Sequence, residues 1–294
     1  MPVIKPIISH KLIGSKVKKI RRFIIPLGWM LCGVIQNSTA QQSLLSLNIR
    51  YDNPADGINA WSNRRERMAS WIADSIQPDI VCLQEVLSSQ LSYLQSRWSD
   101  QYDYYGIGRE DGKSKGEFAP IFFRKDRYEL IQANTIWLSA TQDQPSKGWD
   151  AACERILTAV WLWDVQWKDT VCIFNTHWDH IGNVARWNSA KILLSEFEKI
   201  PSHVAFFCAG DFNAPADAPE IQLLSATWRN ICTTEDLRTP TYNGFKIDAS
   251  EFQHIDFIWT RQSNFHSFRY FQKRALQYLP FISDHDAIWI VSKD

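Results

Sequence analysis

From Ser43 onward the chain sets short apolar runs between polar breaks. Residues 44–51, 79–85, 119–123, 159–165, 171–176, 204–209, 255–260 and 287–291 are rich in Val, Ile, Phe and Trp and too short for ordinary helices, so they predict strands. Residues 64–76 place Met68, Trp71, Ile72 and Ile76 at helical spacing, with Pro78 as the stop, and 88–98 and 184–200 follow the same period. Those three helices are expected to cover sheet faces. Trp161, Trp163 and Trp167 alternate in strand-like sequence and read as packing residues. Residues 107–118, with Gly108, Gly112 and Gly116, and 141–155, with Pro145, Gly148, Trp149 and Asp150, read as long loops, where selectivity usually resides. No repeat, low-complexity tract or linker follows residue 41, so residues 41–294 read as one domain of packed sheets with flanking helices.

The first forty residues differ in kind. Lys11, Lys16, Lys18, Lys19, Arg21 and Arg22 precede an apolar run over 23–35, and Ser38-Thr39-Ala40 follows. That is the pattern of a secretory signal cut after Ala40. The run is shorter than the roughly 20 residues that span a bilayer; a retained anchor is the alternative. Leu31 before Cys32 does not suit a lipoprotein site. The expectation is export to the periplasm or the exterior, with no transmembrane anchor after cleavage.

Removing residues 1–40 takes seven of the 32 Lys/Arg and none of the 32 Asp/Glu, leaving 25 positive against 32 negative charges. Proteins that track a nucleic-acid backbone are more often basic; an acidic balance suits a metal site. Of the five remaining cysteines, Cys82, Cys172 and Cys208 sit in apolar strand-like runs as small buried thiols. Cys153 and Cys232 lie in loop-like sequence, where an exported chain could pair them, although the odd count argues against a full disulfide framework. No cysteine spacing suggests zinc.

Polar residues recur at the ends of the apolar runs: Asn48, Glu85, His177, and Asp211 with Asn213. Each alone has an ordinary reading as a turn or a helix start. Taken in order, Leu-Asn-Ile, Leu-Gln-Glu, Asn-Thr-His, Gly-Asp-Phe-Asn, His-Ile-Asp-Phe-Ile and Ser-Asp-His resemble the endonuclease/exonuclease/phosphatase family, the DNase I-like phosphoesterases, across nearly the whole chain after residue 40. Gly-Asp-Phe-Asn before a late Ser-Asp-His is the most specific part.

The resemblance implies an α/β fold, a four-layer sandwich of two packed sheets flanked by helices, with a hydrolytic site along one edge. It implies metal binding by Glu85 with Asn48 and by Asp284, directly or through water. Oxygen ligands of this kind suit Mg²⁺, with Mn²⁺ as a substitute. Asp211 would orient or deprotonate the attacking water and Asn213 would hold it or a phosphate oxygen. Asp256 would keep His285 protonated against the charge building on phosphorus, and His177 would bind phosphoryl oxygens similarly. Water would then attack phosphorus in line. A Ser or Cys nucleophile competes poorly, since the chain has no Gly-x-Ser-x-Gly elbow.

Arg109, Glu117 and Gly148-Trp149-Asp150 followed by Arg155 look like a bacterial exported branch of the family related to the deadenylase-like members. Arg109 could clamp a second phosphate or a carboxylate, and Trp149 or Trp178 could stack on a base or sugar ring. Glu117 and His180 are placed near the site, whereas His203 and His266 read as surface or packing residues. The substrate expected is a phosphoester: a nucleotide or oligonucleotide, or a lipid or sugar phosphodiester, with the acidic balance favouring a small or single-stranded one. The alternatives are a phosphomonoesterase on a nucleotide, sugar or inositol phosphate, and a non-catalytic binding module on the same fold. No stable protein partner is expected.

Overall fold

In the computed structural model, residues 41–262, 267–273 and 281–293 are described. The readings made on residues 1–40 and on His266 lie outside them. The elements in chain order are β1 (Ser43–Asn48), α1 (Trp61–Ser70), β2 (Ile80–Gln84), α2 (Ser88–Trp98), β3 (Tyr102–Tyr105), β4 (Ile121–Arg124), β5 (Tyr128–Trp137), β6 (Ile156–Asp164), β7 (Asp169–His177), α3 (Asn183–Glu198), β8 (Ala205–Asp211), α4 (Pro219–Ser225), β9 (Trp228–Asn230), β10 (Asp256–Arg261), β11 (Phe268–Lys273) and β12 (Ala287–Ser292). The predicted helix over 64–76 begins earlier, at Trp61, and its last turn, Trp71–Ile76, widens into a π-helix that ends at Gln77 in the left-handed conformation.

Two six-stranded sheets form, in the orders β11-β12-β1-β2-β4-β3 and β5-β6-β7-β8-β10-β9. Three apolar clusters show why they stack. Leu44, Ile80, Cys82, Ile121, Val160, Ile173, Phe207, Ile258 and Ile288 fill the space between the sheets. Met68, Ile72, Leu91, Leu94 and Trp98 from α1, the π-turn and α2 cover the first sheet's outer face. Ala190, Leu193, Phe197, Ile221 and Leu224 from α3 and α4 cover the second. The layers are therefore helix, sheet, sheet, helix, because central strands buried on both faces need a partner on each side.

Each sheet has one parallel pair near its middle, β1 with β2 and β7 with β8. Parallel neighbours need a long crossover, supplied by the segments carrying α1 and α3. The register sets Asn48 beside Gln84 in one sheet and His177 beside Asp211 in the other, so the two pairs of strands deliver their polar ends at the same edge.

The packing reading of the tryptophans holds for Trp161, which lies against the second sheet's outer core. Trp163 faces outward at 36% exposure, and Trp167 sits in the hairpin turn with the Arg127 guanidinium 5.4 Å from its ring centre, so neither is a core residue. His203 is exposed as expected. Cys153 and Cys232 are both free thiols, so the pairing considered for them does not form; Cys232 is buried with its sulfur 3.9 Å from His254 Nε2.

Candidate active site

At the C-terminal end of β8, Gly210 is required by close approach to β7. A Cβ there would stand 2.2 Å from the Thr176 carbonyl oxygen. That contact seats the next residue, Asp211, with its side chain between two imidazoles. Asp211 Oδ2 is 3.6 Å from His177 Nε2 and 3.7 Å from His285 Nε2, and accepts a hydrogen bond from Asn48 Nδ2 at 3.0 Å. Its other oxygen accepts from the Asn213 backbone N–H. Asn213 adopts φ 49° and Glu85, at the end of β2, φ 58°. A carboxylate-bearing residue held in the left-handed region is strained, as functional positions often are.

Asn48 joins the two sheets at this edge. Its Nδ2 also donates to Glu85 Oε1 at 3.0 Å, while its Oδ1 accepts from the Arg50 backbone N–H. The Tyr51 N–H donates to Glu85 Oε2. Beneath them, buried Gln84 Nε2 donates to Asn175 Oδ1 at 2.7 Å, and Asn175 Nδ2 donates to the carbonyls of Leu83 and Pro120. This buried link ties the two sheets together under the site, with the Gln84 Oε1 left without a partner.

Asp256 lies opposite Asp211 in the β8–β10 register, and its Oδ2 is 2.9 Å from His285 Nδ1. Burial opposes the imidazolium of His285, but the charges of Asp256 and Asp211 and the hydrogen bond to Asp256 outweigh it and hold its pKa well above the usual range. His177 is the opposite case: burial, with Arg155 nearby, pulls it down to about 3 against the pull of Asp211 and Glu85. His177 is thus neutral, and the charged role implied for it by analogy with His285 does not fit its surroundings. Burial and the neighbouring Asp256 raise Asp211 above the ordinary carboxylate range.

Asp284 follows Ser283, whose hydroxyl donates to the Asn48 carbonyl, and it lies 3.8 Å from Arg50 Nε. Burial and the Glu85 charge raise it to about 6, despite His285, Arg50 and Arg64. Arg64 is fully buried and donates to the carbonyls of Ile49, Arg50, Asn59 and Ile282, pinning the loops that carry Asp284 and Arg50.

These residues line a cleft of about 390 Å³ with Arg50, Tyr51, Arg109, Glu117, Cys153, Arg155, His180 and Tyr242. Glu117 forms a two-pronged pair with Arg109 and lies 3.6 Å from His177 Nδ1, so Arg109 is already committed to a carboxylate rather than open as a clamp. Arg155 is bound to buried Asp179, and its Nη2 is 2.9 Å from His180 Nδ1. Burial alone would raise Asp179, yet the N–H groups of Gly182, Ile181 and Ala152 together with Arg155 hold it well below its usual value.

Of the residues singled out in the sequence, Glu85, Asp211, Asn213, Asp284, His177, His285, Arg109, Glu117 and His180 line the cleft, and Asn48 and Asp256 stand directly behind it. Trp149 does not line it; it stands 46% exposed outside. Trp178 is fully buried with its ring centre 4.7 Å from that of Phe212, so it is a core residue and not a stacking platform. Arg50, Tyr51, Tyr242, Arg64 and Asp179 escaped the sequence reading. Tyr242, whose ring centre is 5.0 Å from His285, lies in a loop without periodicity, and only its spatial position reveals it.

The donor set fits a hard divalent cation. Glu85 and Asp284 line the same cleft, and the repulsion of the Glu85 charge on buried Asp284 is one that a cation held there relieves. Two further groups bring possible ligand atoms within 4.8 Å of one another. In the first, Cys153, Asp179 and His180, the Asp179 oxygens already accept four hydrogen bonds and Arg155 is adjacent. In the second, Asp211, Asp256 and His285, the ring is committed to Asp256. Neither competes with the Glu85 and Asp284 pair for an oxygen-seeking ion.

A two-sheet sandwich with carboxylates, a charged imidazole and a neutral one at a single edge defines a metal-dependent phosphoester hydrolase. The model of the endonuclease/exonuclease/phosphatase family matches residues 45–285. The chain belongs to that family. An endonuclease/exonuclease/phosphatase from Bacteroides vulgatus shares the fold with TM-score 0.80 and 30% identity, covering 86% of this chain and 99% of that one. A mannosyl-6-phosphatase from Bacteroides thetaiotaomicron gives TM-score 0.76 and 26% identity, covering 86% and 100%. Human tyrosyl-DNA phosphodiesterase 2 is 26% identical over 182 residues, 60% of this chain and 43% of the human protein, so the match spans less than half of that relative.

Proposed function

We propose that this chain is an exported, Mg²⁺-dependent phosphodiesterase that acts on a small or single-stranded substrate by in-line attack of water on phosphorus. The observation that carries the reading is the position of Asp211, within 3.7 Å of both imidazole Nε2 atoms and hydrogen-bonded to the amide that also holds Glu85. A carboxylate there, raised by burial and Asp256, is suited to accept a proton from water aligned against a phosphate. Asn213 fixes that carboxylate through its backbone N–H. His285, kept charged by Asp256, faces the phosphoryl oxygens as their charge grows; neutral His177 offers a hydrogen bond without adding charge. Glu85 and Asp284, with Asn48 orienting Glu85, would hold the cation, which supplies charge neutralisation at the phosphate and the leaving oxygen. Mn²⁺ suits the same oxygens. Export is supported by the basic and then apolar pattern of residues 11–40.

Phosphomonoester hydrolysis is the second reading, favoured by the likeness to a mannosyl-6-phosphatase over that protein's whole length. The complete set of Glu85, Asp211, Asn213, Asp256 and His285 argues against a non-catalytic binding module. The test is turnover of bis-p-nitrophenyl phosphate and p-nitrophenyl phosphate with Mg²⁺, Mn²⁺ or EDTA, beside Asp211→Asn. Diester cleavage lost in EDTA and reduced on the order of 10²–10⁴-fold in the variant is expected; preference for the monoester selects the second reading. Full activity of Asp211→Asn sinks both. N-terminal sequencing of the secreted protein checks cleavage after Ala40.

A further inference from the structure

The contact between Asp256 and His285 crosses from one sheet to the other. Asp256 opens β10 in the second sheet and His285 directly precedes β12 in the first, so strand pairing places each within its own sheet and leaves the distance between them unset. The Asp256 carboxylate has little else to orient it: Oδ2 meets His285 Nδ1 at 2.9 Å, and the buried Oδ1 has no partner. The contact therefore depends on where the main chain holds the two residues.

One short segment, residues 241–244, is bonded to both sides. Thr241 is fully buried, and its Oγ1 accepts from the Ile255 N–H at 3.0 Å and the Asp256 N–H at 3.1 Å. Its carbonyl accepts from the Asp286 N–H at 2.7 Å. Asn243, equally buried, donates its N–H to the Asp284 carbonyl at 2.7 Å and its Nδ2 to Asp286 Oδ1 at 3.0 Å. Tyr242 pairs with His285 in an isolated bridge, and its ring centre lies 5.0 Å from the imidazole and 4.8 Å from Phe252. The chain leading into the segment is held as well, since the Pro240 carbonyl accepts from Gln272 Nε2 at 2.7 Å. Thr241 is the residue of this segment that reaches both strands, by its hydroxyl to the start of β10 and by its carbonyl to the residue before β12.

Resting on the reading of His285 as the group that faces the phosphoryl oxygens, we propose that Thr241 is a positioning residue for the hydrolysis: its hydroxyl and carbonyl together set the Asp256–His285 contact across the sheets, and with it the direction in which the imidazole meets the phosphate. The experiment measures kcat and KM on bis-p-nitrophenyl phosphate with Mg²⁺ for the full chain, Thr241→Val and Thr241→Ser, each alone and with His285→Ala, and takes a melting curve of each as the check of folding. Thr241→Val keeps the volume and loses the acceptor, so kcat should fall on the order of 10- to 100-fold with KM within about threefold, and Thr241→Ser should recover it. Beside His285→Ala the same substitution should lower kcat by less than about twofold, because the ring through which it acts is gone. Equal losses in both backgrounds mark a general disturbance of the fold and overturn the proposal, as does an unchanged kcat in Thr241→Val. If Thr241→Val does not fold, Thr241→Cys, whose sulfur accepts more weakly, takes its place under the same criteria. Proton NMR separates the two claims. The imidazole N–H resonance of His285, identified by its loss in His285→Ala, should shift or broaden in Thr241→Val and return in Thr241→Ser. That pattern without turnover in any form of the protein supports the positioning role and removes the hydrolase. Parent-level turnover with an unmoved resonance in Thr241→Val removes the positioning role alone.

Discussion

Replacing Asp256 with Asn tests whether the charge on His285 matters to the chemistry. Both residues are almost completely buried, and Oδ2 lies 2.9 Å from Nδ1. At the effective dielectric of such sites, opposite charges about 4 Å apart interact by ~4 kcal/mol, and this interaction helps the imidazolium overcome its burial. An Asn oxygen still accepts the hydrogen bond, so the ring keeps its orientation. The charge goes, because the charge and hydrogen bond of Asp256 are lost together and Asp211, 3.7 Å from Nε2, and Asp284 are left to oppose desolvation. Breaking a buried pair costs about 3–5 kcal/mol when a charge is stranded. Here His285 escapes that cost by releasing its proton, and Asp211 loses a repulsive neighbour. Stability should therefore change by only about 1–2 kcal/mol, while kcat at neutral pH falls on the order of 10²–10⁴-fold.

The pH dependence gives the sharper reading. A histidine raised in the folded state contributes stability that is complete below its ordinary value and is lost as pH climbs through the raised one. In the parent protein that loss lies well above neutral. In Asp256→Asn it moves toward neutral, so the ratio of variant to parent kcat on bis-p-nitrophenyl phosphate should rise as pH is lowered from 8 to 6. Using the ratio cancels the effect of protonating Asp284, which both proteins share. A ratio that stays flat across that range, or a kcat loss under about threefold, refutes the role given to His285.

Two further perturbations probe the frame and the metal. Gly210→Ala should destabilise the protein by about 2–4 kcal/mol through the clash with the Thr176 carbonyl, lowering Tm by roughly 5–10 °C; a Tm within about 2 °C of the parent contradicts the close approach. Asp284, raised to about 6, contributes stability that is present below its ordinary value of 3.8 and lost as pH rises through about 6, a loss of order 3 kcal/mol in the metal-free protein. Mg²⁺ held by Glu85 and Asp284 should offset that loss, so added Mg²⁺ should raise Tm more at pH 7.5 than at pH 5; equal increments at both would place the ion elsewhere.

The strands that the sequence revealed and those it hid divide by position in the sheets. All eight predicted strands are interior ones: β12, β1, β2 and β4 in one sheet, and β6, β7, β8 and β10 in the other. The four that escaped, β3, β5, β9 and β11, are the sheet edges. An interior strand packed on both faces must be apolar throughout, as β2 is, and so stands out in any window. β5 mixes Glu129, Gln132 and Asn134 with exposed Leu130 and Ile131 and carries an irregular register between Leu130 and Gln132, so neither period is clean. The site divides in the same way. Asn48, Glu85, His177 and Asp211 terminate interior strands or directly follow them, and their polarity is conspicuous because what precedes it is not. Arg64, Asp179 and Tyr242 act from α1 and from loops, where a polar residue is ordinary and only the folded geometry gives it a partner. Trp149 was noticed for its loop, but the cleft is lined by charged pairs and the tryptophan is exposed outside it. The residues placed for the family's chemistry thus lie where buried strands end, whereas Arg109, Glu117, Arg155 and His180 line the cleft from loops, which carry no period to read.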